Sequence, residues 1–385
     1  NTMPGWAGSS WYFLRYMDPH NTEEFVSEEK MNYWNQVDLY IGGAEHATGH
    51  LLYSRFWTKI LFDLGHLTFN EPFKKMINQG MILGRSSILN RDKANPNTYV
   101  CANHLEGYNE KFPSADYKTV DERFQKLRID IHLTDNDSLD KEGLRAWQKE
   151  YINAEFYPKD SGFNCGHEVE KMSKRWYNVE DPSVLCDKFG ADTLRCYEMF
   201  LGPVEQSKPW DTKGIDGVSK FIRKFWALYF DDSGSSFNEV APEKEHMKIL
   251  HTCIKKVSSD IERFSFNTCV SAFMVATNDL KKSNCSSKVV LEQMVILIAP
   301  FAPFLAEELW HQLGHKTSVF NADYPVFEEK HLVEDSISYP ISINGKKRAV
   351  ADFDANASKE AIEKAALELP EIQKWLEDKT IRKVI

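Results

Sequence analysis

Between Val37 and Gln79 the chain runs through strand, glycine turn, helix and strand in succession. Val37-Asp-Leu-Tyr-Ile41 reads as a strand entering a Gly42-Gly43 turn. Apolar residues then recur at helical spacing between Glu45 and Gly65, at Leu51, Leu52, Phe56, Ile60 and Leu64. Lys75-Met-Ile-Asn-Gln79 reads as the next strand. Two strands joined through a helix require a crossover, which commits this part of the chain to a parallel α/β sheet. The glycine pair lets backbone approach a nucleotide closely. Glu45 then stands where a carboxylate can accept from ribose hydroxyls, and His46 can stack on the base or hydrogen-bond to it. A glycine turn followed by a helix-capping carboxylate explains the same residues equally well.

A second feature is Lys171-Met172-Ser173-Lys174, set in Glu170-Lys-Met-Ser-Lys-Arg-Trp-Tyr-Asn-Val179. Two compact ammonium charges flank a flexible Met and a small hydroxyl, which suits a loop that closes over a polyphosphate. A solvated surface loop carrying two lysines is the plainer alternative. Asp181-Pro182 then starts a helix, with proline at its first turn.

With these residues the chain resembles the class I aminoacyl-tRNA synthetases, and among them the bacterial-type leucyl-tRNA synthetases. Three more segments carry the resemblance. Asn1-Thr-Met-Pro-Gly-Trp-Ala-Gly-Ser-Ser-Trp-Tyr-Phe13 is similar to the stretch where that family re-enters its catalytic domain after the editing insertion. Leu39-Tyr-Ile-Gly-Gly-Ala-Glu-His-Ala-Thr-Gly-His-Leu-Leu-Tyr53 is similar to its adenylate-binding strand, loop and helix. Leu297-Ile-Ala-Pro-Phe-Ala-Pro-Phe-Leu-Ala-Glu-Glu-Leu-Trp310 is similar to a helix of its tRNA-binding bundle. The resemblance covers nearly the whole chain.

The fold class it implies is α/β plus all-α. Residues 1–84 and 167–210 are expected to form the second half of a Rossmann-like catalytic domain. Residues 85–166 are polar and rich in turn signals, and are expected to be an α+β insertion of the leucine-specific type. Residues 211–325 read as a helix bundle. Ile215, Val218, Phe221, Ile222, Phe225 and Trp226 form one apolar stripe, and longer helices run from His246 to Lys282 and from Lys288 to Leu313. Tyr324-Pro325 and Tyr339-Pro340 bracket a linker. Residues 337–385 read as a small α+β module: strands Tyr339–Ile343 and Arg348–Phe353 around an Asn344-Gly345 turn, a helix Lys359–Leu367, and a last strand over 380–385. The opening at Asn1 and the stop at Ile385 read as cut ends of a longer or divided protein.

The reaction the resemblance implies is ATP-dependent activation of leucine, followed by transfer to tRNA(Leu). Lys171, Ser173 and Lys174 are then the catalytic candidates. Gly42, Gly43, Glu45, His46 and Met172 are the ATP and adenylate candidates, and Trp6, Ser9 and His50 border the leucine pocket. Lys346, Lys347 and Arg348 are candidates for holding tRNA. ATP with Mg2+ is the implied cofactor. The spacing of His46 with His50, and of Cys101, His104, Cys165 and His167, would also suit a metal. No metal is expected in this chain, because the family's zinc module lies upstream. A His-Ile-Gly-His-type signature is missing: Thr48-Gly49-His50 and Leu313-Gly314-His315 each lack the first histidine. The N-terminal half of the enzyme is therefore an expected partner, and the chain by itself is expected to be inactive. Arg175 and Trp176 stand where the family usually has Ser and Lys, which leaves the closing geometry of the loop open.

A net charge of −10 does not advertise nucleic-acid binding, but only the face that meets phosphate need be positive. Seven irregularly spaced cysteines argue for reduced thiols and a cytoplasmic location. The longest apolar run, from Met294 to Ala306, holds two prolines and is too short to span a membrane. Two other readings are a valyl- or isoleucyl-type relative and a non-enzymatic tRNA-binding protein on the same scaffold.

Overall fold

The computed structural model describes residues 5–159, 162–333, 336–354, 357–376 and 381. Strands β1 (Tyr40–Gly43) and β2 (Met76–Gln79) pair in parallel, with Tyr40 opposite Met76 and Gly43 opposite Gln79. Both glycines are thus strand residues, and the turn expected at Gly42-Gly43 begins at Ala44. The crossover is not one helix from Glu45. Ala44–His46 is a 3-10 turn, Ala47–Leu51 a π turn, and only then does α1 (Leu52–Asp63) start. Gly49 sits in the wide turn under the Trp6 ring, where a Cβ would come within 3.2 Å of the indole.

The apolar stripe read from the helical spacing faces outward apart from the half-buried Leu51. Ser54 and Thr58 are buried, while Leu52, Phe56, Ile60 and Leu64 are 58, 57, 38 and 66% exposed. Small side chains let the helix lie close to the Gly8–Ser10 turn, and the bulky stripe is left uncovered on this chain.

Strand β3 (Ile82–Asp92) is the spine of a six-stranded sheet. Two strands pair antiparallel with its far end: β4 (Thr98–Val100) at Asn90–Arg91, and β5 (Phe124–Ile129) along Ser87–Asp92. β6 (Glu155–Tyr157) adds to β4. Leu83–Ile88 pair with β7 (Gly166–Lys171), the strand that carries the first lysine, and Ile82–Leu83 with β8 (Lys208–Pro209). The boundaries expected at 84/85 and 166/167 therefore fall inside β3 and β7. The polar segment and the lysine strand share one sheet. Under its far end lies a buried ion pair, Arg123 to Asp92 at 2.9 Å, with Tyr108 and Asn95 also donating to Asp92. Burial works against the Asp92 charge, but these donors, chiefly Arg123, hold the carboxyl below its ordinary range.

Beyond β7, α2 (Pro182–Phe189) starts at Asp181, whose carboxylate accepts from the Ser183 amide, with proline at the first position. Gly190, at φ 87°, turns the chain into α3 (Ala191–Phe200). The bundle helix α4 (Thr212–Trp226) buries Ile215, Val218, Phe221 and Phe225 as its stripe predicts. Trp226 stays at the rim, stacked on Phe230 at 4.8 Å.

Each of the two long helices expected next is broken in two. α5 (Lys244–Glu262) and α6 (Phe266–Lys282) part at Phe264, which adopts φ 58°. The buried Asp260 carboxylate collects Lys256, Arg263 and Thr268 at that corner. α7 (Lys288–Ile298) and α8 (Pro303–Gln312) part at the two prolines, which cannot donate within a helix. The freed amides of Phe304 and Leu305 donate to Asp192 on α3, at 3.4 and 2.6 Å. The broken helix is thereby tied to the segment that follows the lysine loop.

The C-terminal hairpin joins β9 (Ser336–Ile343) and β10 (Lys346–Asp354) through Asn344 and Gly345, both at positive φ, the signature of a two-residue hairpin turn. Tyr339-Pro340, expected to end a linker, lies inside β9. A two-stranded sheet leaves every strand an edge, so proline's missing donor is tolerated there. α9 (Lys359–Glu368), capped by Ser358, and α10 (Pro370–Leu376) follow. Asn1–Pro4, and the strand expected over 380–385 apart from Ile381, lie outside the described residues. No described helix is long and apolar enough to cross a membrane.

Candidate active site

The lysine loop leaves β7 at Lys171. Ser173 is extended and caps the 3-10 turn Lys174–Trp176, its Oγ accepting from the Arg175 amide at 3.3 Å. Tyr177, at φ 52°, turns the chain back. One buried side chain fixes this shape. Asn178 Oδ1 accepts from the Ser173 amide at 2.8 Å, and Nδ2 donates to Lys171 O at 3.3 Å and to Ser86 Oγ at 3.0 Å. The Arg128 guanidinium, with the Ser86 hydroxyl adding to it, holds the Glu170 carboxyl below its ordinary range. Gly84 makes room: a Cβ there would stand 2.5 Å from the Asn178 carbonyl.

Among the described residues, neither the Lys171 nor the Lys174 ammonium has a hydrogen-bond or ion-pair partner, and both residues are exposed. Met172 lines a cleft of about 490 Å³ with Gly84, Asn178, Glu180 and Lys213. The loop thus presents two uncompensated cations on a shape set from within, an arrangement suited to meeting phosphate oxygens.

A second group gathers around the π turn. The Trp6 ring lies over Gly49 and meets His46 edge-on at 6.2 Å. Ser9 Oγ donates to Trp6 O at 3.1 Å, and the Ser9 backbone reaches His50. A polar chain runs from Tyr12 to Tyr40 at 3.1 Å, to His50 Nε2 at 2.5 Å, and from Nδ1 to the buried Ser54 hydroxyl at 3.3 Å. Burial, then the Tyr12 hydroxyl, pushes the Tyr40 phenol well above its ordinary value, so Tyr40 keeps its proton. Burial and the neighbouring His46 push the His50 imidazole down. A neutral ring suits this chain, because one nitrogen accepts while the other donates. Gly42 has open space where a Cβ would be. The side chain of Glu45 lies outside the described part of the structure.

Trp6, Ser9, His46 and His50 are therefore together, as are Lys171, Ser173 and Lys174. The two groups share no hydrogen bond, ion pair or ring contact among the described residues. Lys346 and Lys347 are exposed on β10, remote in sequence from both. The Arg348 guanidinium lies 3.6 Å from the centre of the Trp375 ring. Cys101 and Cys165 are buried thiols. Cys101 accepts from the Asn164 amide at 3.3 Å, and burial pushes the Cys165 thiol up to about 12. His167 faces Asp137 instead, at 3.8 Å. Among the described residues no three His, Cys, Asp or Glu side chains converge on a metal-sized site.

Asn178 is the residue that motif reading passes over. Its signal was Gly84, an isolated glycine inside a strand, which marks close approach of another segment.

The family described as the anticodon-binding domain of tRNA ligase matches residues 243–363. Over its whole length the chain is 52% identical to a leucine–tRNA ligase of Bacteroides thetaiotaomicron and 50% identical to one of Flavobacterium johnsoniae. It spans 39% of the length of each of these curated relatives. Among solved structures it is similar to the LeuRS of Agrobacterium radiobacter K84, in a ternary complex with tRNA and LeuAMS. That match has a TM-score of 0.59 and 30% identity, covering 98% of this chain and 40% of that one.

The His50 shift has a sign that can be tested. A depressed imidazole contributes stability that is complete above its ordinary value of 6.5 and is lost as pH falls through that value toward the lower folded one. The difference in melting temperature between wild type and His50→Gln is therefore expected to shrink between pH 7 and pH 5. A difference constant across that range would contradict the neutral-ring assignment.

Proposed function

The chain is homologous over its whole length to part of the leucine–tRNA ligases, and from this premise we propose that it supplies the lysine-loop side of a leucine-activating site together with helices that hold tRNA(Leu). In that reaction the leucine carboxylate attacks the α-phosphorus of ATP and pyrophosphate leaves. Negative charge grows on the leaving oxygens, so cations held there in advance stabilise the transition state more than the ground state. The observation that carries the reading is the pair of ammoniums, Lys171 and Lys174, without partners among the described residues, on a loop whose shape is set by Asn178. Ser173 adds its hydroxyl, and Met172 lines the cleft behind. ATP is taken as its magnesium complex, the cation travelling with the substrate.

Gly42, Gly43, Glu45 and His46 take the adenylate side, and Trp6, Ser9 and His50 take the leucine side. The uncovered stripe Leu52, Phe56, Ile60 and Leu64 supports a further body of protein packing on α1, and we assign that place to the N-terminal part of the same ligase. Such a part would bring the second wall of the ATP cleft, so the chain alone is expected to lack leucine-dependent activity. Seven free cysteines, six of them buried, fit a reducing cytoplasm. The relatives' names favour leucine over valine or isoleucine.

In the intact ligase, Lys174→Ala is expected to slow leucine-dependent ATP–pyrophosphate exchange by about 100- to 1000-fold, with leucine affinity little changed. Near-normal turnover would remove the loop from the chemistry.

The hairpin lysines make a separate claim on tRNA. Phosphate contacts make binding fall steeply with salt, and Lys346→Ala and Lys347→Ala should each reduce that slope by about one. Arg348→Ala should instead loosen the packing on Trp375. If both lysine variants keep affinity and slope, Lys346 and Lys347 form only a solvated face.

A further inference from the structure

The two residues that follow the second lysine, Arg175 and Trp176, have no part in the chemistry above. Trp176 is half-buried, and its ring carries a guanidinium: Arg128 on β5 stands 4.6 Å from the ring centre. The same Arg128 grips the strand that leads into the loop, with Nε 2.6 Å and a terminal nitrogen 2.9 Å from the two Glu170 oxygens. A longer contact of 3.4 Å reaches Glu168. One planar cation therefore touches the chain just before Lys171 and again just after Lys174.

Two neighbouring contacts dock the same part of the loop. The Ile131 amide donates to Tyr177 O at 3.1 Å, and the Trp147 ring meets Tyr177 edge-on at 4.9 Å. Asn178 bonds to both limbs of the loop and to Ser86, so it sets the loop's shape. It does not fix how the turn Lys174–Trp176 leans relative to β5. Arg128 over Trp176 joins that turn to β5 directly.

We propose that Trp176 is a positioning residue, and that its stack with Arg128 fixes where the two lysines stand for adenylate formation. The proposal rests on the functional reading above. It gives a role to a departure from the family's usual sequence: an aromatic ring at this position lets an arginine of the neighbouring strand hold the loop through its π face. Lysine could not replace Arg128, since only a planar guanidinium can stack and make the two-point contact with Glu170 together.

The test uses the intact ligase with Trp176→Ala, Trp176→Phe and Arg128→Ala, read in two ways. Hydrogen exchange of the peptide containing Ile131 reports docking, because the Ile131 amide is bonded to the loop. Leucine-dependent ATP–pyrophosphate exchange reports positioning. Trp176→Ala and Arg128→Ala should speed exchange at Ile131 and lower kcat by roughly 3- to 30-fold, the span such a stack represents, with the KM for leucine unchanged. Trp176→Phe should restore most of both, because a ring remains to stack. Unchanged exchange at Ile131 in the alanine variants would overturn the tether. Faster exchange there with unchanged kcat would overturn the positioning role. If the wild-type ligase shows no leucine-dependent exchange, the functional reading fails and the positioning role with it, while hydrogen exchange still decides whether the stack docks the loop.

Discussion

The carboxamide of Asn178 is fully buried, and it has three partners: the Ser173 amide, the Lys171 carbonyl and the Ser86 hydroxyl. A buried amide left unsatisfied costs about 1–3 kcal/mol, so those partners are not interchangeable with water. They bind the two limbs of the lysine loop to each other and to β3. The loop is exposed, short and charged, and its own backbone pairing is limited to the 3-10 turn that Ser173 caps, with the Trp176 amide on Ser173 O at 2.9 Å. The amide adds the link between the end of β7 and that turn. Gly84 is its counterpart on β3, since any side chain there would occupy the space Asn178 needs.

β3 extends the same constraint across the molecule. Its first half pairs with the lysine strand and its second half with β5, so the polar segment cannot shift without moving the loop. The buried Arg123–Asp92 pair anchors the far end of that sheet, where removing one partner would strand a charge in the interior. On the other side, Asp192 on α3 receives two amides of α8, tying the bundle to the chain that follows the loop. The site thus lies between two supports, one a sheet and one a helix bundle.

Much of this was legible in the sequence where a local rule decides the structure. Asp181-Pro182 starts a helix because its cap and its fixed φ act within one turn. Asn344-Gly345 makes a hairpin because both residues tolerate positive φ. The stripe from Ile215 to Phe225 is buried because a bundle helix has one core to face. What was not legible depends on distant partners. Arg128 lies 42 residues from the Glu170 it grips, and no spacing links the two. The stripe on α1 obeys helical periodicity yet faces outward, since periodicity finds an apolar face without saying which body covers it. The split at Phe264 follows from the cluster around Asp260, and the split before Pro303 coincides with the amides that Asp192 receives. The periodic pattern ran on through both. His50 stands out by resemblance; Ser54, four residues on, is within reach of its spacing, but Tyr40 on β1 is a partner that no spacing shows.

The most direct measurement is the exchange rate of the Ser173 backbone amide. Ser173 belongs to an exposed loop, and its N–H is shielded only if Asn178 holds it. Protection well above that of an unstructured loop in wild type, lost in Asn178→Ala, is the predicted result. A Ser173 amide that exchanges at the rate of free peptide in wild type, or whose protection survives Asn178→Ala, would show that the loop's shape has another origin.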